Sequence, residues 1–466
     1  MIPENLAGRR IAITGSTGFL GTALVERLLR SAPGCELVLI LRPGRRGAGR
    51  RVERDILRND AFDNLRSQLG TDGFAEMTSR RITAVAGDVT SDSLGLDADG
   101  LAALASCDIV IHSAAVVSFD SPLDQAVEVN LLGPVRIVET LASLGATPHL
   151  VTVSTCYVAG SRRGRAPEEP VDASSFFVDV DWRTEVDAAR RIRLDTETES
   201  RTPANLKAFR SEAHGELGAA GIPSLAAKTE QLRCRWVDDK MAQAGIARAG
   251  SLGFPDAYAF TKALGEIAVA ESAGDVPISV VRPAIIESAH SEPSPGWIRG
   301  FRMAEPVIIS YARGLLKEFP GVPEGTVDVI PVDFVVAAIC AVAARGPLGP
   351  DEGADIVQVA SGSVNPLRYG HLVDMVREWF TEHPIYDEMG QPIAVPQWSF
   401  PGRGRVKKQL QKAARTLDRA QKVFEVLPVR GRHAEMGVRL EEQRELIGRA
   451  EGYVDLYGAY AECEAI

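Results

Sequence analysis

Short runs of continuous apolar residues alternate, through the first 160 positions, with longer stretches in which apolar side chains return every three or four residues. A strand covered on both faces shows an unbroken apolar run, and the intervening period is that of an amphipathic helix. The run Ile11–Thr14 begins the series, and CELVLILRPG, ITAVAGDVTS and CDIVIHSAAVVSF continue it. Strands and helices taken in turn predict an α/β fold, a Rossmann-type doubly wound parallel sheet with helices on both faces.

The pattern changes after Gly160. Residues 161–255 are charged and helix-prone, with few strand signals, and predict a helical insert between the two parts of the 1–160 nucleotide fold and its continuation. An insert whose two ends belong to one fold lies near the site that fold carries, so a substrate-binding role follows for it. The α/β pattern returns over 256–366, with a strand in PISVVRPAI, a Pro- and Ser-rich loop in AHSEPSPGW, and an apolar helix FVVAAICAVAA for which Asp333 is the expected N-cap. Residues 367–466 leave the nucleotide fold for a mainly helical region. Between 403 and 432 there are ten Lys or Arg against two Asp or Glu, and Val406, Leu410, Ala413, Leu417, Ala420 and Phe424 recur at helical spacing. A basic amphipathic helix near 403–424 suits an anionic surface, and equally suits packing on the body with a solvated basic face.

The turn after the first strand carries Gly15, Gly18 and Gly21 and opens a helix. Glycine there allows positive φ, close approach of backbone to a pyrophosphate, and close packing of helix on strand, while the helix N-terminus faces the anion. A lone glycine triplet is weak, but one that follows a strand and opens a helix is the context of a dinucleotide fingerprint. The second strand ends in Arg42, with Arg45, Arg46, Arg50 and Arg51 after it, where an NAD enzyme would place an acid. Arginine suits a 2′-phosphate, so NADPH is the expected cofactor. Asp88, past the third strand, is suited to the adenine amino group or to a backbone amide. The small residues Ser113, Ala114 and Ala115 let backbone pass close to a ribose. Asn130 sits early in a helix. Asp88 and Asn130 equally fit turn and cap roles, and His112 fits a core histidine.

Far downstream, Tyr258 and Lys262 stand four residues apart in PDAYAFTKALGE. That spacing puts phenol and ammonium on one helical face, where the cation is expected to lower the phenol's pKa and make Tyr258 a general acid or base. Alone, the pair is an ordinary helix-surface contact; behind a nucleotide loop it describes hydride transfer.

A net charge of −10 and a pI near 5.4 exclude a general nucleic-acid binder. The six cysteines, at 35, 107, 156, 234, 340 and 463, show neither metal spacing nor a disulfide framework, so no metal is expected and a reducing cytoplasm fits. The opening MIPENLAGRR lacks an apolar signal core. The longest apolar run, Phe334 to Ala344, is shorter than the roughly 20 residues that span a bilayer.

Taken together, TGSTGFLG, GDVT, IHSAA, VNLLGPVRIVE, VSTCYVAG, YAFTKALGE, VVRPAIIES, IPVDFVVAAI and SGSVNPLRYGHLVDMV resemble the extended short-chain dehydrogenase/reductase superfamily. Within it they resemble the male-sterility type of fatty acyl-CoA reductase, related to the thioester reductase domains of carboxylic acid reductases and peptide synthetases. The resemblance implies a catalytic Thr155, with Ser154 beside it, completing a triad with Tyr258 and Lys262. It implies a cofactor site of Gly15, Thr17, Gly18, Phe19, Leu20, Gly21, Arg42, Asp88, Val89, Ser113, Ala114, Ala115, Asn130, Lys262 and Pro283. It further implies NADPH-dependent reduction of a long-chain acyl thioester to an aldehyde and on to an alcohol. Either acyl-CoA or acyl-carrier protein would be the substrate, with the basic helix near 403–424 meeting the carrier, the coenzyme phosphates or the inner face of the membrane. An NADP-dependent epimerase or hydroxysteroid-type dehydrogenase shares the glycines, Tyr258 and Lys262 but needs neither so long an insert nor a basic tail. A non-catalytic NADP sensor would ordinarily lack the Tyr or the Lys. Oligomeric state stays open.

Overall fold

The structure is a computed structural model that describes residues 2–118, 120–217, 222–300, 305–314, 316–318, 321–349 and 354–401, with isolated positions beyond. The expected basic helix near 403–424 therefore lies, apart from isolated positions, outside the described residues. The chain divides into two units, one of residues 1–299 with 330–360 and one of 300–329 with the chain from 361.

In the first unit seven strands form one wholly parallel sheet: β1 (Arg10–Thr14), β2 (Glu36–Leu41), β3 (Ile82–Ala86), β4 (Ile109–His112), β5 (His149–Val153), β6 (Ile278–Pro283) and β7 (Asp355–Val359). Their order, 3-2-1-4-5-6-7, reverses direction between β1 and β4, and the crevice at such a reversal is where this architecture binds ligands. The expected runs became these strands because side chains alternate in direction and both faces are covered. Ile11 and Ile13 of β1 pack on one side with α1 (Phe19–Ser31), while Ala12 between them packs on the other. That second side carries α2 (Ala98–Ala105) and α3 (Leu132–Ser143).

The insert is helical, as its composition predicts: α4 (Trp182–Ser200), α5 (Pro203–Leu217) and α6 (Ile222–Ser251). Trp182, Val186, Val237, Met241 and Ala249 form one buried cluster with Phe260, Leu264 and Ala268 of α7 (Ala257–Ser272). The insert is thus packed directly on the helix that carries Tyr258 and Lys262. The apolar helix α8 (Val332–Arg345) joins α1 on the opposite side of the sheet. Asp333 is not its N-cap: it lies inside the first turn, and its carboxylate accepts the backbone N–H groups of His290 and Ser291, each at 2.9 Å, and of Glu292 at 3.3 Å. The Pro- and Ser-rich loop supplies donors that a solvated cap would not, and the carboxylate turns to them.

In the second unit Thr326–Val327 pairs antiparallel with Leu367–Arg368, and Tyr311 donates to the carbonyl of Pro396 at 2.9 Å. No described helix is long and apolar enough to cross a membrane.

Candidate active site

β1 ends at Thr14, and Gly15 turns the chain with φ +77°. A side chain there would collide: a Cβ on Gly15 would lie 2.5 Å from the backbone nitrogen of Ala114. Gly21 is equally confined, against the carbonyl of Gly15, so both outer glycines are demanded by backbone packing. Gly18, at the start of α1, has φ −80° and makes no side-chain cap, and the first-turn N–H groups of Phe19, Leu20 and Gly21 have no intrahelical acceptor by the geometry of a helix start. Thr17 and Leu20 stay partly exposed at the turn, and the Phe19 ring stacks on Trp297 at 5.2 Å. Ser16 is fully buried and its hydroxyl has no partner among the described residues. A glycine-confined turn, an open helix N-terminus and an orphaned hydroxyl together fit a bound pyrophosphate.

Across the crevice, Ser113 donates to the carbonyl of Thr14 at 2.8 Å, and Ala114 and Ala115 follow. Asn130 is fully buried in a π-helical turn, Val127–Leu131, that leads into α3. Its Oδ1 accepts the N–H of Val116 at 2.9 Å, and its Nδ2 donates to the carbonyl of Val116 at 3.0 Å and to Thr261 at 3.3 Å. Asn130 therefore fastens the loop after β4 to α7 and acts on that loop as a positioning residue. His112 is the core histidine: Nδ1 meets the Thr14 hydroxyl at 2.7 Å, and burial, helped by the charge of Lys262, brings its pKa down to about 3.

Arg42, at the end of β2, is exposed, and no carboxylate pairs with it among the described residues. Arg50 and Arg51, in contrast, are held by Glu53 and Asp55, and Arg51 also donates to the Arg42 carbonyl. One oxygen of Asp88 is taken by the N–H and hydroxyl of Thr90 at 2.9 and 2.8 Å, the turn role open to it from sequence. Val89 beside it is half-buried and accepts from Arg136 through its carbonyl.

The expected triad residues converge at the C-terminal end of β5. Asp256, two residues before Tyr258, caps α7 by accepting the N–H of Ala259 at 2.8 Å. Lys262 is 5% exposed, and its ammonium donates to the carbonyl of Val153 at 2.8 Å, tying α7 to the strand end. Thr155 follows that strand; its side chain hydrogen-bonds Tyr258, accepts the N–H of Tyr157 at 3.3 Å, and stands 3.5 Å from the carbonyl of Pro283. Ser154 is buried, and its hydroxyl has no partner among the described residues.

The expected lowering of the Tyr258 pKa by Lys262 is not what the site shows. Burial pushes the phenol above its ordinary range, the Asp256 carboxylate pushes it further, and the hydrogen bond to Thr155 opposes them. The same burial brings Lys262 down to about 8, against the pull of Glu266. A buried phenol that keeps its proton is a proton donor, the polarity that carbonyl reduction needs. Several contributors were missed in the sequence. Gly265 lets α7 approach the turn at Asn130, and the buried pair Glu266–Arg282 sits one turn beyond Lys262. Only the four-residue step from Lys262 to Glu266 was available as a signal.

A doubly wound sheet with this glycine turn, and a hydroxyl, phenol and ammonium gathered at one strand end, defines a nicotinamide-dependent oxidoreductase of the extended short-chain dehydrogenase/reductase class. Comparison with known proteins narrows that class. The family described as male sterility protein matches residues 13–339. The chain is 31% identical over 400 residues to the chloroplastic fatty acyl-CoA reductase 2 of Arabidopsis thaliana, spanning 84% of this chain and 60% of that protein. It is 30% identical over 399 residues to the alcohol-forming fatty acyl-CoA reductase of Simmondsia chinensis, spanning 84% of this chain and 75% of that one. The terminal R domain from the myxalamid PKS-NRPS biosynthetic pathway shares the fold, with a TM-score of 0.53 at 17% identity, over 87% of this chain and 74% of that domain. The chain belongs to the male-sterility family of fatty acyl-CoA reductases.

Proposed function

We propose that this protein reduces a long-chain acyl thioester, on coenzyme A or a carrier protein, to the aldehyde and on to the alcohol with NADPH. The observation that carries the reading is the meeting of Thr155, Tyr258 and Lys262 at the end of β5, in a chain about 30% identical to fatty acyl-CoA reductases over 84% of its length. The Gly15–Gly21 turn and the start of α1 would hold the pyrophosphate, Arg42 the 2′-phosphate, the free oxygen of Asp88 the adenine, and Lys262 the nicotinamide ribose. NADPH, when bound, supplies the hydride.

Thr155 and Tyr258 donate to the carbonyl oxygen of the thioester, where negative charge develops as the carbon is reduced. One such donor is worth about 3–4 kcal/mol of barrier. Tyr258 passes its proton to that oxygen, and Lys262 as ammonium stabilises the phenolate left behind. Collapse of the hemithioacetal breaks the carbon–sulfur bond, releases the thiol and leaves the aldehyde. A second hydride, from a second NADPH, and a second proton, from Tyr258 once solvent has returned its proton, give the alcohol. Because the reaction needs Lys262 charged, kcat/KM is expected to fall as pH rises through about 8.

The test is NADPH oxidation with palmitoyl-CoA, with products quantified, in wild type, Tyr258→Phe and Thr155→Val. Consumption that collapses in both variants, with two NADPH consumed per alcohol, supports the reading. Tight NADPH binding without turnover of any acyl thioester overturns it and directs the search to sugar or steroid substrates.

A further inference from the structure

Lys262 is 5% exposed, and a buried ammonium tends to lose its proton. One carboxylate stands against that tendency. Glu266, one turn further along α7 and 8% exposed, is paired with Arg282 of β6, 3% exposed, through contacts of 3.1 Å (Nε–Oε1), 3.2 Å (Nε–Oε2) and 2.6 Å (Nη2–Oε2). Arg282 reaches the site from the other side as well. Its carbonyl accepts the Cys156 thiol at 3.0 Å, and the carbonyl of the next residue, Pro283, faces the Thr155 hydroxyl. One buried ion pair thus joins the helix bearing Tyr258 and Lys262 to the strand bordering Thr155.

A buried ion pair is a poor device for stability alone, since apolar side chains of the same volume commonly do as well. We propose that Glu266 and Arg282 are positioning residues for the reaction, Glu266 holding Lys262 as an ammonium and Arg282 limiting how strongly it does so. The inference rests on the reading that Lys262 works charged beside Tyr258. The other groups facing Lys262 do not replace Glu266. His112 of β4 is neutral, Tyr258 keeps its proton, Thr261 and Asn130 are uncharged, the Val153 carbonyl only accepts, and Asp256 lies at the far start of the helix.

The two halves of the pair have opposite signs, and this separates the inference from a merely structural role. Glu266→Gln removes the negative charge and leaves Arg282 alone, so Lys262 gives up its proton more easily and the alkaline limb of kcat/KM moves to lower pH. Arg282→Gln leaves Glu266 unpaired, and the limb moves to higher pH. Each shift is expected to be about one pH unit. The same limb is read without turnover in the pH dependence of NADPH affinity, measured by quenching of protein fluorescence on the full chain. The double variant Glu266→Gln/Arg282→Gln leaves no unpaired buried charge and serves if a single variant does not fold; its limb moves to lower pH, since the carboxylate that favours the Lys262 ammonium is gone.

Limbs displaced in opposite directions in both readouts support the inference. Limbs that do not move, or that move the same way in both single variants, overturn it, as does an unmoved limb in the double variant. Lys262→Met is run alongside: if it keeps wild-type kcat and NADPH affinity, the proposed role of Lys262 falls, and this inference with it. If Lys262→Met is inactive while the limbs stay still, only the inference falls.

Discussion

Gly265 is the position where a single methyl group tests the architecture of the site. A Cβ there would lie 2.5 Å from the carbonyl oxygen of Asn130 and 3.3 Å from the Cα of Leu131. Ordinary contact between such atoms is about 3.5 Å, so Gly265→Ala forces α7 and the 127–131 turn apart by about 1 Å. Two effects compete. Alanine is the better helix former by about 1 kcal/mol, while overpacking a rigid contact costs about 1–3 kcal/mol. Because the clashing atoms are backbone, the upper half of that range applies, and a net loss of about 1–2 kcal/mol is expected. The effect on catalysis is larger. Lys262 stands three residues before Gly265, and the amide of Asn130 binds Thr261 and the loop at Val116. Displacing reacting groups by about 1 Å can lower kcat by about a hundredfold. Urea unfolding and steady-state NADPH oxidation of the Ala variant measure the two effects separately. Gly73→Ala is the control: its Cβ would meet nothing nearer than 3.5 Å within a helix, so it should gain stability and leave kcat alone. A Gly265→Ala protein as stable as wild type, with kcat within about twofold, would refute the reasoning.

Three further outcomes are expected. Arg42→Ala should lower the preference for NADPH over NADH by about ten- to a hundredfold, the worth of a charge-assisted hydrogen bond, read as the ratio of the two Michaelis constants; an unchanged ratio removes Arg42 from the phosphate role. His112 and His149 are held neutral by burial, with pKa values brought down to about 3 and about 4. Their stabilisation is whole above the unfolded value near 6.5 and is lost as pH falls from there towards the folded values, so the urea midpoint should drop across that window and drop less in His112→Gln. Gly15→Ala, strained by its φ of +77° and blocked by Ala114, should weaken cofactor binding more than it weakens folding; nucleotide titration beside thermal unfolding decides, and unchanged affinity refutes it.

The parallel sheet and its helices on both faces were legible because a sheet buried on both faces leaves continuous apolar runs that sequence displays directly, whereas the seven-strand count and the strand order came only with the fold. The glycine turn and the shared helix of Tyr258 and Lys262 were legible because local spacing alone determines their geometry. The helical insert was visible in composition, though not the surface on which it packs. Sequence could not carry the sign of the Tyr258 shift: spacing suggests a cation, but burial, which no spacing reports, and then the Asp256 carboxylate push the phenol up. Asn130 was visible as a polar residue early in a helix, and only the folded chain shows its amide spent on Val116 and Thr261. Asp333 became a loop clamp because three N–H groups from residues 290–292 are brought to it across the fold. Glu266 and Arg282 lie 16 residues apart on different elements and meet only when α7 packs on the sheet. Short-range periodicity and backbone rules thus determined the elements and the local motifs. Burial and contacts between distant segments, which set the charge states and positions of the reacting groups, were decided by tertiary structure alone.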